Sequence, residues 1–374
     1  MVANEGQRVR WGVIGCGQIA HDKALPALAG AERCELVALA DPDAERLARC
    51  HGEYPRTRAY RDVGELLADP EVEAVYIATP NFVHADQTVQ AARAGKHVLC
   101  EKPMALTAAE GRRMVEAAAQ AGVQLMIAYM TLFNPAYLAA KRAADAGLLG
   151  EIVFARGRHS YAIAPERAAR PAQAWRLDPR RGGGPLMDVG VYSAFTLREL
   201  TGRRIRWVSA LGATRRFHRL TDWDSLVFSF LLDDGTPGVI EASFTYGSSL
   251  YELEGTRGRL SLAGHVSQRI VGRLDLALRS ATGAVAEQST HEVVPDSLPH
   301  FYNYQREAEH FSRCVLTGQE PVSSGRKALH ELLVADAVRE SIQTGRRVEV
   351  VERARTARAP SGQEPSAAGP GEEE

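Results

Sequence analysis

Residues 10–20 read RWGVIGCGQIA, and this run constrains the fold more than any other feature of the chain. Arg10–Gly15 is a short apolar run of strand character. Gln18–Leu28 carries Ala, Leu and Ile on one side, as a helix does. Between them Gly15-Cys16-Gly17-Gln18-Ile19-Ala20 fits G-x-G-x-x-A. In a strand–turn–helix the first glycine permits the tight turn, and the second lets a pyrophosphate approach the backbone. The small third residue lets helix and strand pack closely, and the N–H groups and dipole of the helix start face the anion. Asp41 ends the next strand, 21 residues (41 − 20) beyond Ala20. A carboxylate there accepts hydrogen bonds from ribose hydroxyls and repels a 2′-phosphate. Gly15, Gly17, Gln18, Ile19 and Asp41 are therefore candidate ligands of NAD in preference to NADP, a preference that Arg46 and Arg49 on the following helix soften. Asp41, placed before Pro42, is also positioned to cap that helix.

The pattern continues for the first third of the chain. Leu36–Ala40, Arg58–Tyr60, Ala74–Ala78, Lys96–Cys100 and Val123–Ala128 are strand-like runs. They alternate with helical stretches from Asp43, at Val63–Leu67, about His84–Ala94 and near Ala108–Ala121. Buried strands alternating with helices predict a doubly wound parallel sheet, a Rossmann arrangement, over residues 8–130. After Tyr129 the grammar changes. Helix Ala136–Ala146 is followed by longer alternating strands at Glu151–Tyr161, Val208–Arg215, Ser225–Leu232 and Val239–Thr245, with Asp234-Gly235 as a hairpin turn between the last two. Helices near Tyr302–Leu316 and Lys327–Gln343 close the pattern. Residues 131–350 thus read as an α+β domain with a large, mostly antiparallel open sheet. The ends, 1–7 and 351–374, read as disordered, the second being rich in Pro, Gly, Ser and Glu.

Three further motifs fall where parallel strands end, which is where ligands bind in such sheets. Thr79-Pro80-Asn81 with His84 follows the fourth strand; Thr79 and Asn81 either line a cofactor or form a helix-entry turn. Glu101-Lys102-Pro103 follows the fifth. Lysine is scarce here, five against 40 arginines, which makes Lys102 more than one surface cation among many. An ammonium at that place can bond a substrate oxygen and lower the pKa of a neighbouring phenol. The run Gly182-Gly183-Gly184-Pro185-Leu186-Met187-Asp188-Val189-Gly190-Val191-Tyr192 leads into a helix. Asp188 and Tyr192 are four apart and would share a helix face, while Asp and Gly early in a helix suit a site better than a packing surface. A cap and a core aromatic are the plainer alternatives. His21, Asn134, Asn303 and Tyr304 are other polar residues within reach of the crevice, without an assigned role.

Composition excludes several classes. With 45 basic against 46 acidic residues there is no global field drawing the chain to nucleic acid or anionic lipid. Five scattered cysteines without a C-x-x-C pair argue against a disulfide framework or a zinc knuckle, and no metal site is expected. The start has no apolar signal region and no run of 18 apolar residues occurs, so a cytoplasmic location is expected.

Taken in order, GCGQIA, ALADPD, TPNFVH, EKP and GGGPLMDVGVY resemble the Gfo/Idh/MocA oxidoreductase family over residues 8 to 350. The resemblance implies an NAD-binding Rossmann domain and a C-terminal domain whose open sheet commonly builds a homodimer or homotetramer. It places Lys102 on the family's active-site lysine and Asp188 on the aspartate of its D-x-G-x-H/Y motif. Tyr192 falls where inositol-type members carry histidine. A tyrosine there is similar to the branch of glucose–fructose oxidoreductase, dihydrodiol dehydrogenase and aldose dehydrogenases, as is Trp175-Arg176 ahead of the glycines. The expected function is an NAD-dependent dehydrogenase acting on a carbinol of a sugar or polyol, C1 in an aldose. Tyr192, its pKa lowered by Lys102, would take the proton, with Asp188 orienting. Thr79, Pro80, Asn81, His84, Glu101, Lys102, Trp175 and Arg176 would line the cofactor. The alternatives are a redox-neutral enzyme that keeps its NAD bound (a sugar–sugar oxidoreductase or a glycosidase) and a non-catalytic NAD(H)-sensing protein.

Overall fold

The computed structural model describes residues 6–164, 166, 175–217, 223–264, 272–280, 283–293 and 298–351. The segments expected to be disordered, 1–7 and 351–374, lie outside the described residues but for residues 6, 7 and 351. Six strands, β1 (Val9–Ile14), β2 (Cys34–Ala40), β3 (Arg58–Tyr60), β4 (Ala74–Ile77), β5 (His97–Glu101) and β6 (Leu125–Ala128), form one parallel sheet in the order β3-β2-β1-β4-β5-β6. The connecting helices are α1 (Leu25–Gly30), α2 (Ala44–Glu53), α3 (Val63–Ala68), α4 (His84–Arg93) and α5 (Ala108–Ala121). Strand order reverses between β1 and β4, and this switch point opens the crevice at their carboxyl ends. Local chemistry sets the helix starts: Asp43 accepts from the N–H groups of Glu45 and Arg46 at α2, and Thr107 accepts from Glu110 N–H at α5.

One expected helix takes another form. The helix expected over Gln18–Leu28 does run through, from Gln18 to Gly30, but it widens into a π-turn at Ala20–Ala24 ahead of α1, which carries Pro26.

The second sheet has nine strands in the order β14-β13-β12-β11-β7-β10-β9-β8-β15. They are β7 (Ile152–Ser160), β8 (Ile205–Ala213), β9 (Ser225–Leu232), β10 (Pro237–Ser243), β11 (Ser248–Gly255), β12 (Gly258–Ala263), β13 (Gly272–Arg279), β14 (Val285–Val293) and β15 (Val348–Glu349). All neighbours are antiparallel except β7 and β10. Helices α6 (Pro135–Asp145), α7 (Val191–Thr201) and α9 (Gly325–Thr344) pack on this sheet. Along β9, Leu226, Phe228, Phe230 and Leu232 are buried while Val227 and Ser229 are exposed, so the period-two pattern separates a core face from an open face.

Helix α8 (Tyr302–Thr317) crosses back onto the parallel sheet, against α1, β1 and β2. Trp11 on β1 is wholly buried, its ring 5.6 Å from that of Phe311, and its indole N–H donates to Ser312 Oγ at 3.1 Å. The two halves of the chain therefore share a core. Phe311→Ala is expected to cost about 3–5 kcal/mol. Trp11→Ala together with Phe311→Ala is expected to cost less than the sum, with at least ~0.5 kcal/mol of coupling in a denaturant-melt double-mutant cycle.

Candidate active site

The crevice at the switch point is a cleft of about 900 Å³, near the upper end of the roughly 300–1,000 Å³ usual for ligand sites. Gly15, Gly17, Gln18, Ile19, Asp41, Thr79, Pro80, Asn81, His84, Glu101, Lys102, Trp175, Arg176 and Asp188 all line it. Of the residues given a catalytic or cofactor role in the sequence, Tyr192 alone is not part of the lining; of the four without an assigned role, His21 lines the cleft and Asn134, Asn303 and Tyr304 do not.

At the outer end, Gly15 holds φ +94°, and a Cβ there would stand 2.9 Å from Thr79 Cγ2, so the turn admits no side chain. A Cβ on Gly17 would meet nothing within 4 Å. The backbone is open at the place where a pyrophosphate would approach, so the turn fits a dinucleotide. Asp41 does not cap α2; Asp43 does. Asp41 Oδ2 instead accepts from Cys16 N–H at 2.7 Å, and Oδ1 accepts from Asp43 N–H at 2.8 Å and from the Arg46 guanidinium at 3.0 Å. The carboxylate staples the glycine turn to the end of β2 and holds Arg46 at the mouth of the cleft. That arginine contact was not foreseen beyond a general softening of cofactor preference.

The middle of the cleft is built from loops tied across it. Asn81 is not a helix cap: its Nδ2 donates to Gly182 O at 3.0 Å, joining the loop after β4 to the glycine run of the second half. His84 is buried, and its ring nitrogens lie 2.9 Å from the carbonyl oxygens of Pro103 and Thr79. Burial pushes its pKa below the ordinary value. This imidazole fixes the spacing of the two loops. Gly183 N–H donates to Asp178 O at 2.9 Å and Gly184 N–H to Arg176 O at 2.7 Å, so the Trp175–Leu177 turn and the glycine run form one piece.

At the inner end Lys102 and Asp188 meet. The ammonium donates to Asp188 Oδ1 at 2.8 Å and to Asp188 O at 3.0 Å. Asp188 Oδ2 accepts from Arg176 Nη1 at 3.3 Å and from the Tyr161 hydroxyl at 2.5 Å. Burial acts to raise the Asp188 pKa, but Lys102 and Arg176 outweigh it and hold the carboxyl well below the usual range. Tyr161, just past the end of β7, was missed in the sequence. A tyrosine ending a long strand carries no motif, and its one signal is that β7 runs toward the glycine loop.

Tyr192 corrects an expectation. Leu186–Gly190 forms a π-turn, and α7 begins only at Val191. Both Asp188 and Tyr192 meet Lys102, the first by its carboxylate and the second by its ring face. Asp188 faces the cleft, while the Tyr192 hydroxyl is bonded to Thr131 and donates to Met130 Sδ at 3.0 Å. Lys102 Nζ lies 5.6 Å from the centre of the Tyr192 ring. Burial, the largest influence, pushes this phenol well above its ordinary pKa, and the Thr131 hydrogen bond opposes it without reversing it. The expected lowering by Lys102 does not occur, because the ammonium meets the ring and not the oxygen.

Among the described residues no cluster of His, Cys, Asp or Glu is placed to hold a metal ion, and no helix is long and apolar enough to cross a membrane.

Known proteins resemble this chain over most of its length. Residues 9–129 match the oxidoreductase family with an NAD-binding Rossmann fold, and residues 137–261 match the GFO/IDH/MocA C-terminal domain. The chain is 31% identical over 344 residues to a 1,5-anhydro-D-fructose reductase of Ensifer adhaerens, covering 91% of this chain and 98% of that one. It is 31% identical over 351 residues to a D-xylose 1-dehydrogenase (NADP(+)) of Haloferax volcanii, covering 91% and 99%. The crystal structure of an aldose-aldose oxidoreductase from Caulobacter crescentus complexed with glycerol superposes with a TM-score of 0.81 at 29% identity, covering 92% of this chain and 100% of that one. With both of its domains matched in order, the chain belongs to the Gfo/Idh/MocA family of oxidoreductases.

Proposed function

We propose that the protein uses NAD(H) to interconvert a carbinol and a carbonyl on a sugar or related polyol, with C1 of an aldose as the reacting carbon. The observation that carries this reading is the Lys102–Asp188 pair at the inner end of a cleft whose outer end is a dinucleotide turn. The bound nicotinamide supplies or takes up the hydride.

The chain's own residues do the rest. An ammonium has three protons, and two of those on Lys102 go to Asp188. The third is free for a substrate oxygen, so Lys102 gives that oxygen its proton in reduction and takes it in oxidation. Asp188 stays ionised and orients Lys102, and Tyr161 with Arg176 holds Asp188 in place. Tyr192 forms the floor beneath the ammonium, where its ring face attracts the cation. Asp41 favours NAD, although Arg46 beside it offers a 2′-phosphate a partner. The named relatives, a sugar reductase and a xylose dehydrogenase, support a sugar substrate. The tie from Asn81 to Gly182 across the cleft favours a second reading in which the dinucleotide is held between turnovers. Nucleotide that survives dialysis would select it. The open face of the nine-stranded sheet, where Leu211 is 74% exposed, is the surface proposed for self-assembly.

A screen of aldoses and cyclitols with NAD and NADP in parallel, read by reduced-nicotinamide absorbance, tests the reading; no hydride transfer to any of them overturns it. Lys102→Ala is expected to lower kcat by about 10²–10⁴-fold with dinucleotide affinity nearly unchanged. Tyr161→Phe removes a hydrogen bond to a charged group, worth about 1.5–3 kcal/mol, and is expected to lower kcat by roughly tenfold or more. Tyr192→Phe is expected to stay within about threefold of wild type, since its hydroxyl serves packing; the opposite order would return the acid–base role to Tyr192. Because the folded Asp188 carboxyl is held below its unfolded value, its stabilisation is present above about pH 4 and is lost as pH falls toward the folded value. The stability gap between wild type and Asp188→Asn is therefore expected to close in urea melts below about pH 4.

A further inference from the structure

Behind the cleft lies a set of buried titratable groups that the chemistry above does not use. Tyr76 on β4 donates to Glu101 Oε1 at 2.8 Å, and the backbone N–H of Lys102 donates to Glu101 Oε2 at 3.3 Å. From the other side α8 brings Tyr304 and Glu307, three residues apart and so on one helix face. Glu307 is wholly buried, and neither of its carboxyl oxygens has a hydrogen-bond partner among the described residues; the same holds for the Tyr304 hydroxyl. Buried polar atoms of this kind are met by ordered water in folded proteins.

The charges around Glu307 are of one sign. Glu101 acts on it, and the phenols of Tyr76, Tyr192 and Tyr304 feel it in turn. Lys102 and Arg176 act on Glu101 instead. Glu309, on the same helix, accepts from Arg306 and from Glu32 N–H. On the other elements against α8, Trp11 and Cys34 meet Ser312, His21 meets Asp22 and Glu53, and Lys23 donates to His300 O. Two carboxyls that sense one another do not readily ionise together. Burial raises the Glu101 carboxyl as well, but Lys102 and Arg176 pull against it, whereas no cation among the described residues acts on Glu307; of the two, the proton belongs on Glu307. Burial and Glu101 both push the Glu307 carboxyl well above its usual pKa, in keeping with this assignment.

We propose that Glu307 is a protonated acid lining, with Tyr304, a small water-binding chamber, and that it is the proton store for Lys102, reached by way of Glu101. The proposal rests on the acid–base role of Lys102 given above. In reduction, a Lys102 N–H bond breaks as the substrate O–H bond forms. The Glu307 O–H bond then breaks, its proton passes through water and the Glu101 carboxylate, and the Lys102 N–H bond re-forms. Glu307 regains its proton from solvent when the product leaves. Oxidation runs the same transfers backwards, and no electrons move in the relay.

Glu307→Gln keeps the shape and removes the exchangeable proton; Glu307→Leu tests packing alone. Infrared spectra at neutral pH are expected to show a protonated-carboxyl band that shifts in D2O and is missing in Glu307→Gln. An unchanged spectrum overturns the proposal without any activity measurement. In stopped-flow traces Glu307→Gln is expected to keep its first turnover within about twofold and its KM values, while steady-state kcat falls by about tenfold or more and is restored by added imidazole. Wild-type kcat and pH profile in a normally melting Glu307→Gln overturn the proposal. So does loss of the first turnover in both variants, which marks a structural role. If Lys102→Ala retains turnover, the reading of Lys102 fails instead, and the infrared band still decides where the proton sits.

Discussion

The ion pair between Lys102 and Asp188 is the contact on which the site depends. The two side chains are 11% and 15% exposed and come from opposite halves of the chain, one at the end of a parallel strand and the other in a π-turn ahead of a helix. A pair this sheltered is weak as a net source of stability, yet removing either partner strands the other, at about 3–5 kcal/mol. The halves cannot move far apart without that penalty. Asn81 with Gly182 and Trp11 with Ser312 hold the same two halves at other points, so the ion pair sits within a fixed frame.

The frame explains how few residues touch the chemistry. One carboxylate, Asp41, shapes the glycine turn and holds the arginine at the mouth. One imidazole, His84, spaces two loops. One carboxylate, Asp188, gathers an ammonium, a guanidinium and a phenol. Each does by hydrogen bonding what would otherwise need a longer loop, and each lies just past the end of a strand or at the start of a helix. Among the described residues π-turns occur twice, after the glycine turn and around Asp188. Such turns are often found at functional sites because they re-aim a side chain without breaking the helix that carries it.

That re-aiming also marks how far the site was legible in the sequence. The parallel sheet, the glycine turn, Asp41, the Glu101-Lys102 step and the Gly-rich run could all be read, since each depends on local periodicity or on residues a few positions apart. The role of the Tyr192 hydroxyl could not be read, because a spacing of four brings its ring to Lys102 but does not show that its oxygen turns to Thr131 and Met130, 61 and 62 residues away. Tyr161 and Glu307 were invisible for a similar reason. Their partners are 27 residues away in one case and about two hundred in the other (307 − 101 = 206), and nothing in a one-dimensional pattern marks such meetings. The return of α8 to the first sheet escaped notice on the same ground: the helix could be read from its period, but not the surface that receives it.

Charge balance ties these observations together. Lys102 and Arg176 bring two positive charges to the inner end of the cleft, and Asp188 answers one of them closely. An oxidised nicotinamide brings a positive charge of its own, so an uncompensated cation beside it would weaken binding of that form. Burial raises the Glu101 carboxyl while Lys102 and Arg176 pull it down, and under the proton assignment proposed above it supplies the second negative charge. A third carboxylate at Glu307 would overshoot and lie in a region with no cation to meet it. A phenolate at Tyr192 would do the same beneath the ammonium, inside a pocket closed by Thr131 and Met130. Neutral Glu307 and neutral Tyr192 therefore follow from one constraint: the buried floor can hold as many negative charges as there are cations above it, and Asp188 and Glu101 already fill that number.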